Sequence, residues 1–553
     1  MLSWLKSATS SLPFRLGAEI PFEHPVWKLH EATLSEDGSS VTVFVCEGTS
    51  GADDPRLVLA RHALQNCKRL RHPAILGAKI DVPEQATAAY LVTEPVRPLA
   101  GIVRTDQFQD LDEEARAEAA AWGVSELAHA VTFLGDSGKI HGNLSMNSVF
   151  VTQAGDWRLA GFELLGSAAE IDSHLRQHHR LFPERYQAPE VLAGDWSDVT
   201  PTCTDAWSLG CVLFESLDGN FNQMSDLKRT DRIPQSLQTD LRKLLQRTPG
   251  RRLDPASLVQ SSFFRGSVAV EVCSFIGAIA LKDAAEISTF WGQLSAKVGQ
   301  LPVACCTHKL LPALEGAVKQ AGASAYMLLP PALAIGDRLD ESEFQLRLLP
   351  VLLRWFDSGE KRLIAGLLEN ISKWAVHCDE ATVSNKIFPH VQAGFTDSIP
   401  QMREMAVKCI PQIIEKLEVR IVNGPLITAM VGMLNDKAPA LRVNTMILLG
   451  MIAPKFSKTT AARTLVPSLL RGLKDGFVPV RVKALTAICV LINRGDVLQP
   501  SDCAGGILPA VAPLCCDPSG HSVREQALEC VRACEKVLAS NSEEVSARNN
   551  PSA

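Results

Sequence analysis

The sequence has no C-x-x-C pair among its 15 cysteines. Closely spaced paired ligands are what a structural zinc site or a dithiol redox motif requires, so the spacing argues against both. Cys409, Cys489 and Cys530 sit in apolar helical segments and read as small buried residues of a reducing compartment. The adjacent pairs Cys305-Cys306 and Cys515-Cys516 are read as each sending one member to the core. The chain also lacks any uncharged apolar run of the roughly 18 residues that a membrane-spanning helix needs. Its longest candidate, from Val272 to Leu281, covers about half a bilayer and follows Glu271. Basic excess is missing too. The 55 Lys and Arg against 61 Asp and Glu leave a net charge of −6. That excludes a general nucleic-acid binder and leaves room only for a local basic patch.

What is present is ordinary for a soluble globular chain: 46% hydrophobic and 21% charged residues over 553 positions. At about 150 residues per domain this length suggests two to four domains. The opening stretch, MLSWLKSATSSLPFRLG, is basic and serine-containing like a transit peptide, but reads more simply as the lead-in to a first domain.

Two grammars follow one another. Residues 14–265 mix strand and helix signals. Ser40 to Cys46 is rich in β-branched residues and follows an Asp37-Gly38 turn signal, and Ala89 to Thr93 is a second strand. Residues 113–134 and 205–217 are helical. From about 300 the strand signals stop and the chain repeats. Asp397, Asp436, Asp475 and Asp517 recur at steps of 39, 39 and 42 residues. Each is followed by an arginine six or seven residues on: Arg403, Arg442, Arg481 and Arg524. Pro389, Pro467 and Pro509 precede the units at similar intervals, Pro350 with Asp357 fits the same phase, and Pro312 opens a still earlier unit. A period near 40 residues holding two helices resembles HEAT-type repeats. The aspartate is expected to cap the second helix of each pair, with Pro400 and Pro439 in its first turn. The resemblance implies that Asp and Arg pair across neighbouring units.

The first half carries a further set of marks. Leu70 to Leu76 (LRHPAIL), Tyr90 to Val96 (YLVTEPV), Ala188-Pro189-Glu190, Asp205-Ala206-Trp207-Ser208-Leu209-Gly210 and Arg252 resemble the scaffold segments of a protein kinase. By that resemblance Glu190 pairs with Arg252, and Asp205 begins the central helix of the lower lobe. The chemical positions differ. Phosphoryl transfer needs positive charge on the phosphates, carboxylates on the metal and a base near the acceptor hydroxyl. The stretch Trp27 to Thr33, where a glycine-rich loop is expected, has no glycine. Phe44 stands at the phosphate-contacting lysine, and Ala63 at the glutamate that would orient it. His141-Gly142-Asn143 replaces H-R-D, so the base position is Asn143. Ser148 stands at the metal-binding asparagine, and Gly161-Phe162-Glu163 replaces D-F-G. A residual site would have to use Glu163 or Asn147 for a metal and Lys28 for a phosphate; otherwise Glu163 is a solvated loop residue. His174, His178 and His179 are read as a polar surface loop in preference to metal ligands.

A degenerate kinase region followed by HEAT-like repeats resembles the Scy-one-like pseudokinases. Leu12-Pro13-Phe14, Arg69 to Leu76, Leu91 to Val96, Ile233-Pro234, His308 to Pro312 and Phe388 to Val391 carry the likeness. The expected organisation is a lead-in over 1–13, a bilobal α+β kinase-like domain over 14–265, a helical linker over 266–300, an all-α solenoid over 301–540 and a disordered tail over 541–553. The resemblance implies a non-catalytic scaffold without cofactor. It would be cytoplasmic or peripheral on Golgi and intermediate membranes, binding protein partners such as vesicle coat proteins. The chain ends without the basic coat-binding signal of long family members. An atypical ATP-binding kinase and a tRNA-export adaptor are the alternatives.

Overall fold

The structure, a computed structural model, describes residues 12–48, 54–83, 85–105, 108, 111–167, 174–197, 199–219, 221–495 and 498–549, with side chains to 542. The chain divides into two compact units, residues 1–313 and 314–553. The transit-like stretch lies largely outside the described residues.

The first unit opens with a four-stranded antiparallel sheet in the order β1 (Phe14–Ile20), β2 (Lys28–Leu34), β3 (Ser40–Glu47), β4 (Ala88–Thr93). Asp37 accepts from the Ser39 N–H at 2.8 Å and Gly38 takes φ 73°, which closes the β2–β3 turn. Strand β3 is buried on both faces. Val41, Val43 and Val45 pack with Phe14 and Tyr90, while Phe44 and Cys46 face the opposite way into the main core. Helix α1 (Pro55–Arg69) crosses between β3 and β4 and is capped by Asp54. A second sheet joins β5 (Val96–Pro98), β6 (Val149–Thr152) and β7 (Trp157–Leu159). Helix α2 (Glu113–Asp136) packs so closely on β7 that a Cβ at Gly123 would lie 2.0 Å from the Trp157 ring. Helix α3 (Cys203–Asp218) is buried at every position, including its polar residues Asp205, Ser208 and Glu215.

The expected linker over 266–300 is instead part of this unit, and the boundary falls at 313. Helix α4 (Val268–Gly277) is tied to α2 because Glu118 accepts from Ser267 Oγ and the Ala269 N–H at 2.6 and 2.8 Å. Helix α5 (Ala284–Lys297) buries Phe290, Trp291 and Leu294. Lys309 then pairs with Asp156 at 2.6 Å and lies 4.4 Å over the Trp122 ring. Cys305 and Cys306 are both buried, so both members of that pair face the core, whereas Cys516 is exposed.

The second unit is built of helix pairs. Its second helices are α6 (Lys361–Glu369), α7 (Pro400–Ile413), α8 (Pro439–Ile452), α9 (Val478–Arg494) and α10 (His521–Asn549). The recurring prolines have a local effect. Widened π turns at Phe344–Leu348, Val383–Ile387, Ala461–Leu465 and Cys503–Ile507 each come just before Pro350, Pro389, Pro467 or Pro509. Proline removes one N–H and crowds the carbonyl a turn earlier, and a wider turn relieves both.

Arg403 donates to the carbonyl of its own Asp397 at 2.7 Å and to the Asp436 carboxylate of the next pair at 2.6 Å. Arg442 repeats this with Asp436 O at 2.9 Å and with Asp475 at 2.8 and 2.9 Å. Arg481 bonds Asp475 O at 2.7 Å and lies 3.3 Å from the Asp517 carboxylate. Arg524 bonds Asp517 O at 2.8 Å. The aspartates do not cap the helices. Asp436 Oδ1 accepts from the Ala438 N–H, two residues on, because the chain must still turn before Pro439 can start the helix. A second row joins the same pairs at the other end of these helices. Lys416 donates to Ala375 O and Cys378 O at 3.2 and 2.8 Å, Lys455 pairs with Glu415, and Arg494 donates to Ala453 O at 2.8 Å. Lys416 and Arg494 thereby bond carbonyls at helix C-termini of the preceding pair, and Lys455 a carboxylate there. They recur at steps of 39 residues. Helix α10 continues to Asn549, so residues 541–549 are helical where a disordered tail was expected; no proline or glycine interrupts them.

Candidate functional site

The cleft between the two sheets is where a kinase would hold nucleotide. The β1–β2 connection runs over residues 21–27, so Lys28 to Thr33 belong to strand β2, and the loop that would cover phosphates is PFEHPVW. It has no glycine, and it folds into the cleft. His24 organises it: its Nδ1 accepts from the N–H groups of Val26 and Trp27 at 3.2 and 3.3 Å. Its ring stacks on Phe22 at 5.2 Å and meets Phe182 edge-on at 5.7 Å. Phe22 in turn packs on Phe150 at 5.6 Å, and Asn147 Nδ2 donates to Glu23 O at 2.9 Å.

Trp27 completes the plug. Its indole N–H donates to Glu163 Oε1 at 2.6 Å, and Asn143 Nδ2 donates to Glu163 Oε2 at 3.1 Å. Glu163 is therefore not a solvated loop residue; it is fully buried. Burial pushes its carboxyl up, against the hydrogen bonds from its own backbone, Trp27 and Asn143. Phe44, expected at the lysine position, packs beside them, 4.9 Å from the Phe150 ring and 6.1 Å from Trp27. Ala63 on α1 is buried in the same core. Gly161 takes φ 76°, and a Cβ there would lie 2.7 Å from Ser148 Cβ. Ser148 closes a turn on Ser145, accepting from its N–H at 2.8 Å. Lys28 is exposed on β2 and is not part of this cluster.

The outer part of the cleft remains an open pocket of about 420 Å³, lined by Gly17, Ile20, Glu31, Thr42, Val96 and Val151. The backbone polar groups of Val96 are spoken for: Thr42 Oγ1 accepts from the Val96 N–H at 3.0 Å and donates to Val96 O at 3.3 Å. Arg97 pairs with Glu31 beside it.

The scaffold positions behave differently. Arg252 forms two bonds of 2.6 Å to the Glu190 carboxylate, donates to Cys203 O at 2.8 Å and lies 5.2 Å over the Trp207 ring. Asp205 accepts from the N–H groups of His141 and Gly142 at 2.8 and 3.0 Å, and burial pushes it up to about 6. His141 donates from Nε2 to Ala160 O at 2.8 Å while its Nδ1 accepts from the Asn143 N–H; burial pushes it down to about 4. His174 and His178 lie on a short helix, half-buried, with the His174 ring 4.3 Å from that of His62. Among the described residues no group of three or more His, Cys, Asp or Glu side chains could hold a metal ion.

Sequence reading missed the roles of His24, Trp27, Thr42 and Phe150. A tryptophan in the glycine-loop stretch and a threonine two residues before Phe44 were the available signals. The His24 arrangement has a pH consequence. Burial holds this imidazole down at about 3 against an ordinary 6.5, and its neutral Nδ1 is the acceptor that shapes the loop. A depressed folded value means that its contribution is complete above pH 6.5 and is lost as pH falls from there toward 3. Wild type should therefore melt higher than His24→Asn at about pH 7.5, and that gap should shrink steadily to about pH 4.5. A gap constant with pH would refute the neutral-acceptor role.

A protein kinase domain profile matches residues 56–264. The probable inactive serine/threonine-protein kinase scy1 of Dictyostelium discoideum is 30% identical over 534 residues, covering 95% of this chain and 63% of that protein. Human SCY1-like protein 2 is 21% identical, covering 88% of this chain and 57% of its own length. The chain thus spans less than two thirds of either relative. The crystal structure of Cex1p superposes with a TM-score of 0.67 over 97% of this chain and 98% of that one, at 19% identity, a likeness of fold. In its kinase-like region, its helical repeats and these relatives, the chain matches the SCY1-like pseudokinase family.

Proposed function

We propose that this protein is a catalytically inactive scaffold whose kinase-like unit is kept for its shape, and whose HEAT-type repeats bind a protein partner. One observation carries this reading. The phosphate end of the cleft is occupied by the chain itself, through Trp27, Glu163 and Asn143 with Phe44 and Phe150. A nucleotide would have to displace a buried hydrogen-bonded carboxylate and two aromatic rings, and would meet no lysine there. Repeat arrays of this kind present extended surfaces suited to protein partners.

A ligand present at 100 times its Kd adds about 2.7 kcal/mol to stability. Millimolar Mg-ATP should leave the melting temperature of the full chain unchanged. A clear upward shift would favour the atypical ATP-binding kinase.

From the family resemblance we place the scaffold in intracellular vesicle traffic between Golgi and endoplasmic reticulum, in the cytoplasm and on membranes only through partners. No helix among the described residues is long and apolar enough to cross a membrane. Affinity capture from cells tests this placement: recovery of coat proteins supports it, and recovery of tRNA-export factors favours the tRNA-export adaptor.

A further inference from the structure

The charge of the repeats is unevenly distributed. From Lys437 to Lys474 the chain carries seven cations and no Asp or Glu. Arg442 is committed to Asp475, and Lys455 to Glu415. The other five, Lys437, Lys458, Arg463, Arg471 and Lys474, are exposed, and among the described residues none of them forms an ion pair. Four of the five lie on or just after one first helix, 458–472. Lys458 is its opening residue, Arg463 and Arg471 lie two turns apart across Pro467, and Lys474 follows at the turn before Asp475. Lys437 lies beside Asp436, the matching turn of the preceding pair, which Arg442 bridges to Asp475. The cations thus run from one end of this helix to the edge where the Asp–Arg row lies.

The patch stops at both neighbours. On the preceding first helix Arg420 is paired with Glu418, and on the following one, 500–511, there is Asp502 and no cation. The cationic strip is therefore one helix long, about 22 Å at 1.5 Å per residue. A nucleic acid would call for a row continuing across repeats, or for aromatic platforms between the cations. A bilayer surface would call for large apolar residues beside them. Between Lys458 and Lys474 the exposed residues other than the cations are Thr459, Ala462 and Pro467, which supply neither.

We propose that this helix is a docking surface for a short acidic polypeptide segment, rich in Asp and Glu, on a partner protein. Charge complementarity is the ground for the choice: unpaired cations on a chain of net −6 form a local field of opposite sign to their surroundings. The inference supplies partner chemistry for the scaffold reading above and rests on it.

The test uses the full chain and a fluorescein-labelled Glu-rich peptide of about 15 residues, long enough to span the strip whether helical or extended. Anisotropy titrations should show binding that weakens at least about tenfold between low and physiological salt. The triple variant Arg463→Glu/Arg471→Glu/Lys474→Glu should lose at least about tenfold in affinity, while Lys319→Glu, an exposed reversal elsewhere in the repeats, should not. All these side chains are exposed, so both variants should melt like wild type. Equal peptide binding by wild type and the triple variant would overturn the surface. Tighter binding of tRNA, or of vesicles containing phosphatidylserine, at the same residues would overturn the partner class. Either failure leaves the Mg-ATP result untouched, so it is distinguishable from failure of the scaffold reading.

Discussion

Arg252→Ala should lower the stability of the kinase-like unit by about 3–5 kcal/mol, the usual cost of removing one partner of a buried ion pair. The Arg252 side chain is 1% exposed and that of Glu190 7%. Without the guanidinium, the Glu190 carboxylate stays inside with neither charge partner nor donor, Cys203 O loses a bond, and the Trp207 face loses its cation. Thermal or urea unfolding measures the loss directly. Arg252→Lys separates charge from geometry: an ammonium keeps the charge but cannot make the two parallel bonds, so its cost should fall between wild type and alanine. If Arg252→Ala melted within about 1 °C of wild type, the pair would not hold the lower lobe together.

Phe44→Lys, the reversion toward an active kinase, should also destabilise by about 3–5 kcal/mol and should not bring back nucleotide binding. The ring at 44 is packed on Phe150 and Trp27 and is 3% exposed. Lysine would leave that packing empty and bury an ammonium. Position 63, where an orienting glutamate was expected, is a buried alanine and offers no charge partner. The expected result is a large fall in melting temperature with no Mg-ATP shift. A variant as stable as wild type that gained such a shift would show that the cleft is plastic, and that the single substitution had silenced it.

The comparison of sequence with structure divides along a physical line. Residues that act through backbone-determined positions were legible. Asp205 and the Glu190–Arg252 pair sit at fixed offsets from segments with strong local signatures, and the Asp and Arg of the repeats share a period. Phe44, Asn143 and Gly161 could be placed only relative to their neighbouring segments, as expectations. What replaced the lost chemistry was not legible. Trp27 and Glu163 are 136 residues apart, and nothing local announces that an indole N–H will meet that carboxylate. The loop bounds shifted because Lys28 to Thr33 reads equally well as loop or strand until its pairing with β3 is known. The first unit runs on to residue 313 because Ser267 and Lys309 find partners in the kinase-like region, and composition does not encode such contacts. The row Lys416, Lys455, Arg494 was within reach of sequence reading. It keeps the step of the Asp–Arg row, but lysine and arginine on a helical surface are so common that the period stayed hidden.

Those two rows have a mechanical corollary. A single line of ion pairs along one edge would act as a hinge about which neighbouring helix pairs could splay. Here the lines lie at opposite ends of the second helices, about 20 Å apart for a helix of 14 residues. Opening one edge compresses the other, and twisting stretches hydrogen bonds on both. Each junction so fastened behaves as a clamp, and the helical repeats are built to pass a pull or a torque from one end of the row to the other with little loss as bending.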